Sequence, residues 1–205
     1  MSASLQTVTS ERGRRRVSMT PEVDFVRIRF AGDSGDGVQL TGTRLAAATA
    51  RFGNDFATFP DYPAEIRAPA GTTYGVSAYS INIGQTEIRT AGDNPDVLVA
   101  LNPAALKVNL KDVGESGLII ADEGAFTEKQ LRKVGYATNP LDDGTLAKFR
   151  LLRLDISALT LKAVAEFGLS QPDALRCKNM WTLGLVLWMF GRGIEPIETW
   201  LRAKF

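Results

Sequence analysis

The stretch that most constrains the fold runs from Phe25 to Gly42, FVRIRFAGDSGDGVQLTG. Val26, Ile28 and Phe30 alternate with Arg27 and Arg29, the period of a strand with one face turned inward. Ala31 and Gly32 end it. Gly32, Gly35 and Gly37 fall within six positions. Val38, Leu40, Leu45, Ala48 and Phe52 then recur at helical spacing, so a helix begins near Gly37. A strand, a glycine turn and a helix N-terminus together make an anion site. The glycines allow close approach of the backbone, and the first N–H groups of the helix have no intrahelical acceptor. A phosphate or diphosphate is the natural ligand.

The pattern has limits. A dinucleotide fingerprint requires G-x-G-x-x-G or a final Ala, and position 40 is Leu. No Gly-Lys-Ser/Thr occurs, so this is not a Walker loop. Asp33 and Asp36 lie in the turn, where a carboxylate facing a phosphate would repel it. Both are expected to be turn or cap residues directed away from a ligand. A tight strand-to-helix turn without any ligand fits the same residues.

At 205 residues the chain is one large domain, or one domain with tails. It has no histidine, which removes the commonest general base and metal ligand. A single cysteine, Cys177, excludes an internal disulfide framework and a cysteine-ligated iron–sulfur cluster held by this chain alone. It also fits a reducing, cytoplasmic compartment. A net charge of +1 gives no sign of a nucleic-acid surface. No catalytic residue and no metal ligand stands out. Any chemistry is expected to come from another chain or a cofactor.

Residues 1–22 are polar, arginine-bearing and without the apolar core of a signal peptide, and are expected to be a disordered tail; the domain proper covers 23–205. A short second strand is expected at Phe56–Phe59. The stretch Pro60–Gly71, PDYPAEIRAPAG, carries three prolines and forms a shaped loop. Following the second strand of a parallel sheet, it should reach the carboxyl edge beside the glycine turn. Arg67 is its cation for an anion there, with an ion pair to Glu65 or Asp61 as the equal alternative. Thr73–Asn82 alternates as a strand, and Glu87–Thr90 is a candidate hairpin partner across Gly84-Gln85, which makes the sheet mixed. Val97–Leu101 and Leu118–Ala121 are continuous apolar runs, as in strands covered on both faces. Asn102 and Pro103 start one helix, and Thr127 with Gln130 starts another. Asp122 and Glu123 are strand-end loop residues. Phe149–Ile156 is a further strand, and Ser157 caps the helix after it. Ser170 and Asp173 cap a helix containing Met180–Phe190, apolar on all sides but too short to span a bilayer. Glu195–Phe205 is amphipathic, and a terminus there suggests truncation. The fold class is α/β: a three-layer α/β/α domain with a mostly parallel, mixed sheet.

GDSGDGVQLTG at 32–42 followed by FPDYPAEIRAPAGT at 59–72 resembles the gamma domain of 2-oxoacid:ferredoxin oxidoreductases. The later DVLVALN and RCKNMWTLGLVLWMFGR look like the same domain. The likeness runs from Phe25 to Phe205 and is strongest for the 2-oxoglutarate type, where this domain opens a longer alpha subunit. The resemblance implies a part in oxidative decarboxylation of a 2-oxoacid to an acyl-coenzyme A. Coenzyme A would be held here. Thiamine diphosphate, Mg²⁺ and iron–sulfur clusters would sit on other domains or subunits of an oligomeric complex that reduces ferredoxin. By family position, Gly32, Ser34, Gly35, Asp36, Gly37 and Val38 would line the diphosphate, and Arg67 would meet the coenzyme's phosphates. Many gamma subunits carry Gly-Gly-Gln-Gly where this chain has Ser34-Gly35-Asp36-Gly37, which leaves the contact at position 36 open. A free-standing dinucleotide-binding redox protein and a purely structural assembly domain are the other readings. Gly37→Val is expected to block the ligand and spare the fold, provided that the φ of Gly37 is negative.

Overall fold

The computed structural model describes residues 25–33, 35–50, 55–62, 75–84, 88 and 94–204. The expected tail, Ser34, Arg67 and most of the proline loop therefore lie outside the described residues. A six-stranded sheet runs in the order β2-β3-β1-β4-β5-β6. The strands are β1 (Phe25–Asp33), β2 (Asp55–Asp61), β3 (Val76–Gly84), β4 (Val97–Ala100), β5 (Leu118–Asp122) and β6 (Arg150–Leu154). β1, β4, β5 and β6 pair in parallel, and β3 runs antiparallel to both β1 and β2. Five strands thus point one way and β3 alone opposes them.

The strand alternation sorts two cores. Val26, Ile28 and Phe30 of β1, with Val97, Val99 and Ile120, face α1 (Val38–Ala50), α6 (Lys178–Met189) and α7 (Glu195–Lys204). Ala31, Leu98, Ala100, Ile119 and Ala121 face α2 (Pro103–Asn109) and α3 (Glu128–Lys133). All four residues of β4 are buried, which explains why its sequence is a continuous apolar run without alternation. α4 (Ile156–Ala163) joins the α1 face through fully buried Ile156. Helices on both faces of one sheet give the three-layer α/β/α architecture. Among the described residues no helix is long and apolar enough to cross a membrane.

Four local expectations change. β2 is not a member of the parallel set: among the described residues it is an edge strand paired only with antiparallel β3. Two antiparallel steps restore its direction to that of β1, so Asp61 stands level with Ala78 and Ala31, and β2 still ends at the edge that carries the glycine turn. Both edges of β3 are taken by β1 and β2 along its length, which leaves no edge for a hairpin partner at Glu87–Thr90. Of that segment only Ile88 is described, its N–H donating to Asp55 Oδ2 at 2.7 Å. Asp155, not Ser157, caps α4, because β6 ends at Leu154 and the Asp155 carboxylate accepts from Ala158 N–H at 2.8 Å. The helix opened by Ser170 is two helices, α5 (Gln171–Leu175) and α6. The i→i−3 bonds Arg176 N–H to Asp173 O and Cys177 N–H to Ala174 O tighten the chain between them. α6 buries one face, Thr182, Leu183, Val186 and Leu187, while Trp188 is 67% exposed.

Candidate functional site

The site lies where the connections of the sheet diverge. The chain leaves β1 toward β2 and β3, and leaves β4 toward β5, so the carboxyl ends of β1 and β4 open a crevice between them. Asp33 ends β1, Asn102 follows β4, and the Asn102 amide donates to Asp33 Oδ1 at 3.0 Å. The same side chain accepts from Ala105 N–H at 2.8 Å and so caps α2. A cleft of about 190 Å³ opens beside the pair, lined in part by Gly124, Thr127, Gln130 and Lys133.

The turn itself is closed by Asp36 N–H donating to Asp33 O at 2.9 Å. In return Asp36 Oδ2 accepts the Asp33 N–H at 2.9 Å. The carboxylate is therefore tucked behind the turn, as expected of a turn residue. Gly32 makes room for it: a Cβ there would stand 2.7 Å from Asp36 Oδ2. Burial raises the Asp36 carboxyl above its ordinary range, against the Asp33 N–H bond and the charge of Lys178, which favour the carboxylate.

α1 begins directly after the turn. Its first i→i−4 bond is Thr41 N–H to Gly37 O at 2.9 Å, which leaves the N–H groups of Val38, Gln39 and Leu40 without an intrahelical acceptor. Gly37 adopts φ +72°, and a Cβ on it would lie 2.4 Å from Asn179 Nδ2. The condition attached to Gly37→Val fails: any side chain there is strained and collides with α6, so that variant would damage the turn itself. Gly35 is different, because a Cβ on it would meet nothing within 4 Å. Val38 is buried in the α1 core, so only its backbone is open to a ligand. Gly32, Gly35, Asp36, Gly37 and Val38 are thus brought together; Ser34 and Arg67 lie outside the described residues.

Two contributors escape local sequence reading. Gln39, in the first turn of α1, donates through Nε2 to Ala78 O at 2.9 Å, Ser77 Oγ at 3.0 Å and Asp61 O at 3.3 Å. It ties the end of β2, where the proline loop starts, to the helix that starts at the turn. Asp122 is no loop residue. It is fully buried, accepts from Ile156 N–H at 3.0 Å, and pairs with Lys178 Nζ at 2.7 Å. Glu123 is held by Arg153 at 3.0 Å. Both acids are accounted for by structure.

The model of the pyruvate ferredoxin/flavodoxin oxidoreductase family matches residues 27–205. The chain belongs to this family. Within it, the 2-oxoglutarate oxidoreductase subunit KorA of Mycobacterium tuberculosis is 54% identical over 183 residues, covering 89% of this chain and 28% of that protein. The ketoisovalerate oxidoreductase subunit VorA of Methanothermobacter thermautotrophicus is 34% identical over 118 residues, covering 56% of this chain and 24% of that protein. The chain thus spans about a quarter of the length of these relatives.

Solved structures of similar fold are known. The gamma subunit of a keto/oxoacid ferredoxin oxidoreductase from Geobacter sulfurreducens superposes with a TM-score of 0.57 at 20% identity, covering 88% of this chain and 86% of that one. A 2-oxoglutarate:ferredoxin oxidoreductase from Magnetococcus marinus, with 2-oxoglutarate, coenzyme A and succinyl-CoA bound, gives 0.56 at 24% identity over 78% of this chain and 23% of that one. These likenesses show a shared fold.

Proposed function

We propose that this chain is the coenzyme-A-binding gamma part of a 2-oxoacid:ferredoxin oxidoreductase acting on 2-oxoglutarate, in the cytoplasm. The observation that carries the reading is the start of α1. There, N–H groups without an intrahelical acceptor open a 13-residue helix, Gly35 has open space, and both turn carboxylates are held by Asp33 N–H and Asn102. Those residues fit a diphosphate. The helix N-terminus favours negative charge by about 0.3–1 kcal/mol. The Pro60–Gly71 loop starts beside it, and Arg67 would add a charge-assisted bond worth roughly 1.5–3 kcal/mol. The 54% identity to KorA favours 2-oxoglutarate over other 2-oxoacids.

Thiamine diphosphate with Mg²⁺, on another domain or subunit, would supply the decarboxylation chemistry, and iron–sulfur clusters elsewhere would pass electrons to ferredoxin. The part of this chain is to bind and orient the acyl acceptor through the α1 N-terminus and the proline loop. The chain alone, with thiamine diphosphate, Mg²⁺, 2-oxoglutarate and an acceptor dye, forms no acyl-coenzyme A.

A calorimetric titration tests the reading. Coenzyme A binds, binding weakens as salt rises, and Arg67→Ala weakens it roughly tenfold, the equivalent of about 1.4 kcal/mol. Nicotinamide or flavin nucleotides that bind more tightly than coenzyme A would favour a dinucleotide-binding redox protein instead. No binding by any of them would leave an assembly domain.

A further inference from the structure

We propose that Gln39 is a positioning residue for the anion site: its side-chain amide pins the first turn of α1 to the corner of the sheet, so that the N–H groups of Val38, Gln39 and Leu40 stand fixed before a ligand arrives. This deepens the coenzyme A reading, on which the identity of the anion rests; the anchoring of the helix start can be measured without any ligand.

The amide reaches across the last rung of the β2–β3 ladder. Asp61 and Ala78 are register partners there, and Gln39 Nε2 donates to the carbonyl oxygens of both, at 3.3 Å and 2.9 Å. Ser77 Oγ, 3.0 Å from Nε2, completes the corner and itself donates to Asp61 O at 3.5 Å. An amide nitrogen carries two hydrogens, so the three acceptors share them. The reverse amide orientation would set Oε1 against these oxygens, so the contacts fix which way the side chain faces. Oε1 is then left buried without a hydrogen-bond partner. A buried acceptor in that state costs stability, and a methionine of similar length would avoid it. Packing alone does not account for a glutamine here; what it adds is the anchor.

The rest of the first turn is held from the other side. Thr41 Oγ1 donates to Gly37 O at 3.2 Å and to the Asn179 carbonyl of α6 at 3.4 Å. Thr43 Oγ1 donates to Gln39 O at 2.8 Å. Gln39 therefore has its side chain and its carbonyl engaged, while its N–H has no intrahelical acceptor. One turn further on, Gly42 brings α1 against Tyr79, the neighbour of Ala78. The helix start sits between the sheet and α6, and Gln39 bonds it to the sheet. Donors held in place beforehand lose less freedom when the anion arrives, so the anchor acts on affinity.

Two variants remove the anchor in different ways. Gln39→Met keeps the length and loses the donors; Gln39→Asn keeps the donors but is one methylene short of β3. Val113→Ala is the control. Val113 is buried at the opposite edge of the sheet, beside Gly114, whose N–H donates to Pro95 O ahead of β4. That variant lowers stability without touching the carboxyl edge. Coenzyme A is titrated into the parent and each variant at a temperature where all are folded. On the proposal, both Gln39 variants lose about tenfold in affinity and Val113→Ala keeps the parent value. Parent-like affinity in either Gln39 variant, or an equal fall in Val113→Ala, overturns the proposal.

Hydrogen exchange supplies the readout without ligand. The Thr41 N–H, bonded to Gly37 O at 2.9 Å, exchanges several-fold faster in both Gln39 variants, with the amides of later α1 turns unchanged. If coenzyme A does not bind the parent, the coenzyme reading falls and this exchange rate decides: faster exchange supports the anchoring, and parent-like exchange at Thr41 overturns it. Should Gln39→Met fail to fold, Gln39→Asn carries both measurements.

Discussion

Asn102 spans the switch point of the sheet, donating to Asp33 Oδ1 at 3.0 Å while its own Oδ1 accepts the Ala105 N–H at 2.8 Å. One side chain thus caps α2 and steadies the turn that starts α1. Asn102→Asp keeps an excellent cap but sets a third carboxylate against Asp33 and Asp36. We expect a loss of about 1–2 kcal/mol at pH 7 from the missing donor and the new repulsion, shrinking as the pH falls toward 4. Asn102→Ala loses the cap, costing roughly 0.5–2 kcal/mol with little pH dependence. Urea unfolding at two pH values separates them; equal losses at both pH values for Asn102→Asp would contradict the Asp33 contact.

α1 presses on the sheet through a residue with no side chain. A Cβ on Gly42 would stand 2.0 Å from Tyr79 Cδ1, inside the ring's own volume. Glycine costs a helix interior about 0.5–1 kcal/mol relative to alanine, so Gly42→Ala would stabilise an unpacked helix. Here the crowding reverses the sign, and a destabilisation of about 1–3 kcal/mol is expected. A raised melting temperature for Gly42→Ala would show that α1 does not lie this close to β3.

The Asp36 carboxyl predicts a pH dependence. Its folded-state pKa is raised from the ordinary 3.8, chiefly by burial. The folded protein then binds the proton more tightly than the unfolded chain, so the contribution is present below about 3.8 and is lost as pH rises through the folded value. Asp36→Asn removes that loss. The variant should be more stable than the unsubstituted chain at pH 7, with the gap closing as the pH falls below 4. A gap that widens toward acid would mean a depressed carboxyl and would reverse this assignment.

Trp188 stands 67% exposed on α6, opposite the face that packs on α1. A contiguous exposed apolar patch marks a contact surface, whereas one exposed aromatic does not, and Trp188 tests whether α6 carries such a patch. We expect the chain to self-associate as concentration rises, and Trp188→Glu to reduce that association without loss of melting temperature. Light scattering that finds a monomer over a wide concentration range would count against it.

The strand, turn and helix from Phe25 to Ala50 are legible in the sequence because the apolar period switches from two to about 3.6 at the glycines. The buried strands β4 and β5 are legible as continuous apolar runs. The pairing of β2 is not, because an edge strand of the right composition fits either direction until its partner is known. The break between α5 and α6 carries neither glycine nor proline, so the capping signal at Ser170 extends too far. The partnership of Asp122 with Lys178 joins residues far apart in the chain, and no local pattern encodes it. The inward turn of the Asp36 carboxylate follows from turn chemistry, but its raised pKa depends on burial by neighbours from several elements.

The measurement that most directly tests the central claim is coenzyme A titration into the unsubstituted chain and Gly35→Val. The φ of Gly35 lies outside the left-handed region, and a Cβ there meets nothing within 4 Å, so the variant should fold with a melting temperature close to that of the parent. If the diphosphate lies over this turn, the added side chain occupies its space, and affinity falls about tenfold or more, the equivalent of about 1.4 kcal/mol. Equal affinity for the two proteins would place the coenzyme elsewhere and leave the glycine turn as a turn alone.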